Sequence, residues 1–254
     1  MARRVLGVTV QEWDIGGRQG AVEAVLHYPD GRRAAFEVSK LAAHGALQLG
    51  ALLRQDDYLW PLPGEWGWSV GLTDVRDLPR FRKCFASVAL WCEARGVTRP
   101  DQLWDPRGLP AEVRWVAQAE SITMTGNPQG SLRLSDGRRV AMVTPGPKGG
   151  VVDESLAGLN DALADAMASS HLTRKVDKLL AHPNVEERHL YVIVHMTGLP
   201  FSLSYGLMSG PDVPADPPRL PQGVTHVWLA PQYGERVLVG TAGGWAQHYP
   251  YDRP

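Results

Sequence analysis

Two acidic side chains, Glu23 and Glu37, stand on either side of a tight-turn signal, and that placement could do chemistry. Ala21 to Tyr28 and Arg33 to Ser39 are strand-like runs flanking Pro29-Asp30-Gly31-Arg32, in which Asp-Gly supplies the turn. Glu23 falls on the first strand and Glu37 on the second. With the turn centred on Asp30 and Gly31, Glu37 faces Ala24. A shift of one residue, from a bulge or a three-residue turn, puts the two carboxylates side by side. Carboxylates that close either hold a divalent cation or share a proton, because both cannot stay charged and unpaired in a poorly solvated site. Glu37 lies between Phe36 and Val38. A helix starting near Leu41 and covering the Phe36 and Val38 face would leave Glu37 pointing the other way. The competing reading is an ordinary solvated carboxylate on a half-exposed strand.

Other chemistries find little support. There is no Gly-x-Ser-x-Gly, no His-Glu-x-x-His and no Cys-x-x-Cys. His189 and His195 bracket an apolar strand about 20 Å long at ~3.3 Å per residue, too far apart to share one ion. Cys84 and Cys92 fall about 12 Å apart along a helix and are expected as free thiols, with Cys92 on the buried stripe. The 26 basic and 27 acidic side chains give a net charge of −1, so bulk electrostatics draw the chain to neither nucleic acid nor anionic membrane. Arg32-Arg33, Arg80-Phe81-Arg82-Lys83, Arg138-Arg139 and Arg174-Lys175 would form a phosphate-binding surface only if they converge; otherwise they are solvated faces. No signal-peptide pattern and no apolar run of ~18 residues is present, so a cytoplasmic protein with no membrane partner is expected.

The elements that must position these groups follow from periodicity. Helical patterns run over Leu41 to Arg54, Leu78 to Arg95, Pro110 to Ala119, Glu154 to Met167 and Leu172 to Ala181. Strands are expected at Ser69 to Leu72, Ser121 to Thr125, Ser131 to Leu134, Leu199 to Leu207, Val224 to Leu229 and Arg236 to Val239. The apolar run Leu190-Tyr191-Val192-Ile193-Val194 reads as a strand buried on both faces, in one sheet with the hairpin. Trp228 should be largely buried. Leu59 to Trp68 carries three tryptophans, which either plug the core or line a ligand groove. Pro29 to Ala35 is echoed by Ser135 to Ala141, one turn solution used twice. Pro145 to Gly150 reads as a connector. The chain is expected as a single domain over 1–254, with a core at 20–58 and 154–240 and an insertion at 59–150.

Glu23, the Asp-Gly hairpin and Phe36-Glu37-Val38-Ser39 resemble the active-site hairpin of the PD-(D/E)XK nuclease-like superfamily. In that superfamily an acidic residue on one strand and an acid-x-Lys on the next bind a metal ion. The helix bearing Lys175 and Lys178, followed by His189 to Val194, is similar to the helix and strand that complete its sheet. The pattern further resembles uncharacterised actinobacterial proteins carrying a Glu-Val-Ser/Thr strand. The resemblance implies an α/β fold, a mixed sheet flanked by helices, with a restriction-endonuclease-like core and a Trp/Pro-rich insertion. It implies Glu23 and Glu37 as ligands of Mg²⁺, and a nuclease-like phosphodiesterase acting on nucleic acid. Two departures stand out. Ser39 occupies the lysine position and Lys40 points to the opposite face, so Lys178 or Lys175 would have to substitute; and the first acid is Glu rather than Asp. The alternative is a catalytically inactive scaffold that binds protein through its Trp-rich and Pro-rich loops. Nucleic acid, a protein partner and a homodimer are the partner expectations.

Overall fold

A seven-stranded sheet carries the candidate residues in this computed structural model, which describes residues 1–17, 20–105, 107–130, 132–146 and 150–251. Its strands lie in the order Thr9–Glu12, Ala24–His27, Arg33–Leu41, Glu187–Val194, His226–Pro231, Val237–Thr241 and Gly244–His248. The first three form an antiparallel meander, the third to fifth are parallel, and the last two return antiparallel. The sheet is therefore mixed. The hairpin and the Leu190 to Val194 run share it, with Glu37 paired to Leu190 in parallel register.

Parallel neighbours need a crossover, and the helices Leu159–Met167 and Ser170–Ala181 lie on it. Leu172, Val176 and Leu179 of the second helix pack with Leu190, Val192 and Val227 of the sheet. Ser169 caps that helix by accepting a hydrogen bond from the Leu172 amide. The opposite face of the sheet buries Phe36, Tyr191 and Trp228 with Ala2 of the short helix Ala2–Leu6. The Leu190 to Val194 part of strand Glu187–Val194 is thus apolar on both sides because both faces are covered. Trp228 is fully buried.

The chain divides into two compact units, one of 1–42 and 150–254, the other of 43–149. The second has its own five-stranded sheet, built from Leu59–Pro61, Gly67–Leu72, Ile122–Asn127, Leu132–Arg133 and Arg139–Pro145, with helices Ala46–Arg54, Leu78–Glu93 and Ala111–Gln118. Its core holds Leu49, Leu53, Trp60, Trp68, Phe81, Phe85 and Cys92. Trp60 and Trp68 are therefore packing residues. Burial pushes the Cys92 thiol up to about 12 and keeps it protonated.

Several expectations change. Helix Ala46–Arg54 belongs to the second unit's core, and the strand that precedes it runs on through Leu41. The segment expected as a strand at Leu199 to Leu207 is the helix Phe201–Ser209. Its Phe-Ser-Leu-Ser-Tyr alternation has period two, but Leu203 and Leu207 meet on one helical face. Gly206 lets the Asp153 carbonyl approach to where a Cβ would stand, 2.1 Å away. Of the Pro145 to Gly150 connector and the Ser131 to Leu134 strand, residues 147–149 and 131 lie outside the described residues. Both Asp-Gly turns do share one geometry. Gly31 and Gly137 have φ of 92° and 85°, and each aspartate accepts a hydrogen bond from the backbone amide two residues on.

Candidate functional site

The hairpin turn decides what Glu23 and Glu37 can do. Tyr28 and Arg32 close it through the Tyr28 N–H donating to the Arg32 carbonyl at 2.9 Å, leaving three loop residues with Gly31 left-handed. The register becomes Ala24 with Phe36 and Val25 with Ala35, so Glu23 stands opposite Glu37. This is the shifted pairing, not the one with Ala24 opposite Glu37. The Glu23 backbone N–H donates to Glu37 Oε2 at 3.1 Å.

Glu37 points away from the face of Phe36 and Val38, as expected, and into the face covered by the crossover helices; the helix expected over Phe36 and Val38 belongs instead to the second unit's core. The Glu37 side chain is 0% exposed. A buried carboxylate needs a partner charge, and Lys175 supplies it: Nζ donates to Glu37 Oε1 at 2.6 Å and reaches Glu23 Oε1 at 3.5 Å. Lys178 Nζ lies 3.7 Å from the same Glu37 oxygen. Burial pulls the Lys175 ammonium down, yet the hydrogen bonds and charges of Glu37 and Glu23 outweigh it and leave its pKa raised. Exposure is graded from the buried Glu37 through Lys175 at 19% to Glu23 at 42%, so the group opens outward at the Glu23 end.

Ser39, one strand repeat beyond Glu37 on the same face, is buried and hydrogen-bonded to His171 Nε2 at 2.9 Å. His171, Lys175 and Lys178 sit at i, i+4 and i+7 of one helix and so form one stripe. Strand and helix run in opposite senses, which sets Ser39 against His171 and Glu37 against the lysines. All four expected site residues, Glu23, Glu37, Ser39 and Lys178, thus come together, joined by Lys175 and by His171, which the sequence reading did not single out. The i, i+4, i+7 spacing on a helix was the signal for His171.

A second polar cluster lies on the other face of the sheet. Glu187, His189 and His226 have one ligand atom each within 4.8 Å of one another, a spacing that could hold a metal ion. Their hydrogen bonds weigh against it. Trp228 Nε1–H donates to His189 Nδ1 at 3.1 Å, so the neutral ring carries its proton on Nε2, 3.0 Å from Glu187 Oε2. A metal at Nε2 would have to displace that proton and set a second N–H against the indole. Glu187 is already engaged by the Tyr28 hydroxyl and by Arg32, both at 2.6 Å. The His189 hydrogen bond leads in holding its carboxyl down, at about 2, while burial, helped by His189, pushes His226 down to about 4. The sequence carried no local sign of this cluster, because His226 reaches His189 only through parallel register.

The basic pairs are largely spent on local ion pairs: Arg32 with Asp30 and Glu187, Arg82 with Asp56, Arg138 with Asp136 and Arg139 with Glu65. Among the described residues no helix is long and apolar enough to cross a membrane. No protein-family model matches the chain, and no curated protein and no solved structure matches it.

Proposed function

We propose that the Glu23, Glu37, Lys175 and Lys178 group is the site of a metal-dependent phosphodiesterase acting on nucleic acid. The observation that carries this reading is the convergence of two carboxylates from paired strands on one cation, the Lys175 ammonium. The order of elements supports it too. An antiparallel meander carries one acid immediately before its second strand and the other in its third, and a crossover helix leads to a parallel fourth strand. That arrangement agrees with the restriction-endonuclease-like core that the PD-(D/E)XK resemblance implies.

Hard carboxylate oxygens on a fixed strand pair suit Mg²⁺, with Glu23 and Glu37 as the ligands. The ammonium of Lys175 stands at the point the two oxygens share, so ion and lysine compete for it. When bound, Mg²⁺ would lower the pKa of a water and stabilise charge on the phosphate. With an ion held by the two carboxylates, Lys175 would be available to bind a phosphate oxygen. Lys175 and Lys178 thereby take the part that Ser39 cannot. This reading is favoured over the inactive scaffold by the reach of the substitute lysines to Glu37 and by the packing of Trp60 and Trp68 inside.

The test is thermal unfolding with and without Mg²⁺ or Mn²⁺, followed by cleavage assays on single- and double-stranded DNA and RNA. A ligand that binds only the folded state raises Tm by mass action. Wild type should show that rise and cleave at least one substrate, and Glu37→Gln should lose both while staying folded. No rise and no cleavage by wild type removes the proposal.

A further inference from the structure

We infer that His171 is the acid that protonates the leaving oxygen in this reaction, and that Ser39 is the residue that positions it. The inference rests on the phosphodiesterase reading and extends it to a group that neither the turn nor the acid pair announces.

Ser39 is 4% exposed and faces the same way as Glu37, one strand repeat on, about 6.5 Å away at ~3.3 Å per residue. His171 stands four residues before Lys175, about 6 Å along the helix axis at 1.5 Å per residue. Strand and helix therefore offer two parallel pairs, Glu37 with Lys175 and Ser39 with His171, about 6 Å apart, room for a phosphate with its attacking and leaving oxygens between them. His171 is exposed, whereas its hydroxyl partner is buried. The bond to Ser39 occupies Nε2 and leaves Nδ1 unengaged by Ser39. In the imidazolium both nitrogens carry protons, so Ser39 accepts from Nε2–H and Nδ1–H remains to donate. A hydroxyl at this position supports a histidine, which a lysine there would not do.

A phosphate seated over the two pairs has its attacking water at the carboxylate end and its leaving oxygen at the imidazole end. The water oxygen forms a bond to phosphorus and the ester P–O bond breaks, with its electron pair leaving on the alkoxide oxygen. That oxygen takes the Nδ1 proton of His171 and departs as an alcohol. The proton lost by the water passes to solvent at the open, Glu23 end of the group, where the side chain is 42% exposed. Deprotonated imidazole regains its proton from solvent, which closes the cycle with one water consumed and one diester cleaved.

The test exploits the leaving group. A nucleic-acid diester expels a poor alkoxide and needs the acid; a p-nitrophenyl diester expels a stable phenolate and does not. His171→Gln should lower kcat on nucleic acid about 100-fold or more, with KM little changed, and leave turnover of bis(p-nitrophenyl) phosphate within about twofold of wild type. Ser39→Ala should show the same split in weaker form, and Ser39→Thr should restore it. The Mg²⁺-dependent rise in Tm should persist in His171→Gln, since His171 does not touch the carboxylates. Equal loss on both substrates, or no loss on either, overturns the role of His171. Wild type that cleaves neither substrate brings down the parent reading instead, and this inference with it.

Discussion

Lys175 Nζ and Glu37 Oε1 stand 2.6 Å apart under the crossover helix, a charge pair in which one member has no access to solvent. Removing one partner of such a pair is far costlier than the pair's net worth, because the other charge is left buried and uncompensated.

Lys175→Met should therefore destabilise the metal-free protein by about 3 kcal/mol, with Lys178 at 3.7 Å and the Glu23 amide as the remaining support for Glu37. Divalent ion should restore much of the loss and raise Tm more in this variant than in wild type, because no ammonium competes for the shared point. Urea unfolding at several Mg²⁺ concentrations reads both effects. An unchanged midpoint without metal, or an ion response no larger than that of wild type, contradicts the competition.

The hairpin and the central apolar strand were legible in the sequence, and so were the two acids. The pairing of Glu23 with Glu37 was legible only as one of two options, because an Asp-Gly dipeptide suits loops of two or three residues and a single residue's slip changes every cross-strand partner. Lys175 and Lys178 were visible as residues on a helix, but which of them reaches Glu37 depends on the packing of that helix against strands far along the chain. Helix Phe201–Ser209 was misread for a simpler reason. Short alternating runs satisfy both periods, and here it is the helical face of Leu203 and Leu207 that is buried.

Gly206 separates intrinsic preference from packing. In a free helix Gly→Ala gains about 1 kcal/mol. Here a Cβ would stand 2.1 Å from the Asp153 carbonyl oxygen and 2.9 Å from Leu156 Cδ2, and a backbone oxygen cannot rotate away. Gly206→Ala should accordingly destabilise by roughly 1–3 kcal/mol, measured by chemical denaturation. A gain in stability would show that the contact relaxes freely.

The Glu187, His189 and His226 cluster should set the acid limit of stability. His226 is held neutral in the fold, with a pKa of about 4, while in the unfolded chain it titrates near 6.5. Between those values the unfolded state binds more protons, so stability rises with pH and is lost as pH falls from about 6.5 towards 4. Glu187, held at about 2, adds a further loss below about 4.5, the ordinary range of a glutamate. His226→Asn can keep a donor to Thr225 and has no titrating ring, so it should lose less stability than wild type between about pH 6.5 and 4, the remaining loss coming from groups such as His189, which burial also holds neutral. Equal acid unfolding of variant and wild type, followed by circular dichroism, would place the sensitivity elsewhere.

Glu37 and Lys175 are separated by 138 residues, much of that span being the inserted unit of 43–149. At synthesis rates of about 5–20 residues per second, a ribosome that has just released Glu37 needs on the order of ten seconds more to produce its lysine. For that interval the meander is a three-stranded fragment whose Arg33–Leu41 edge still lacks its parallel neighbour, and its acid must stay hydrated. The inserted unit, with its own core, is complete by then and can fold first. Birth order thus makes the site one of the last features of the molecule to close, and a chain cut short before Lys175 would carry both acids without the cation that lets Glu37 go dry.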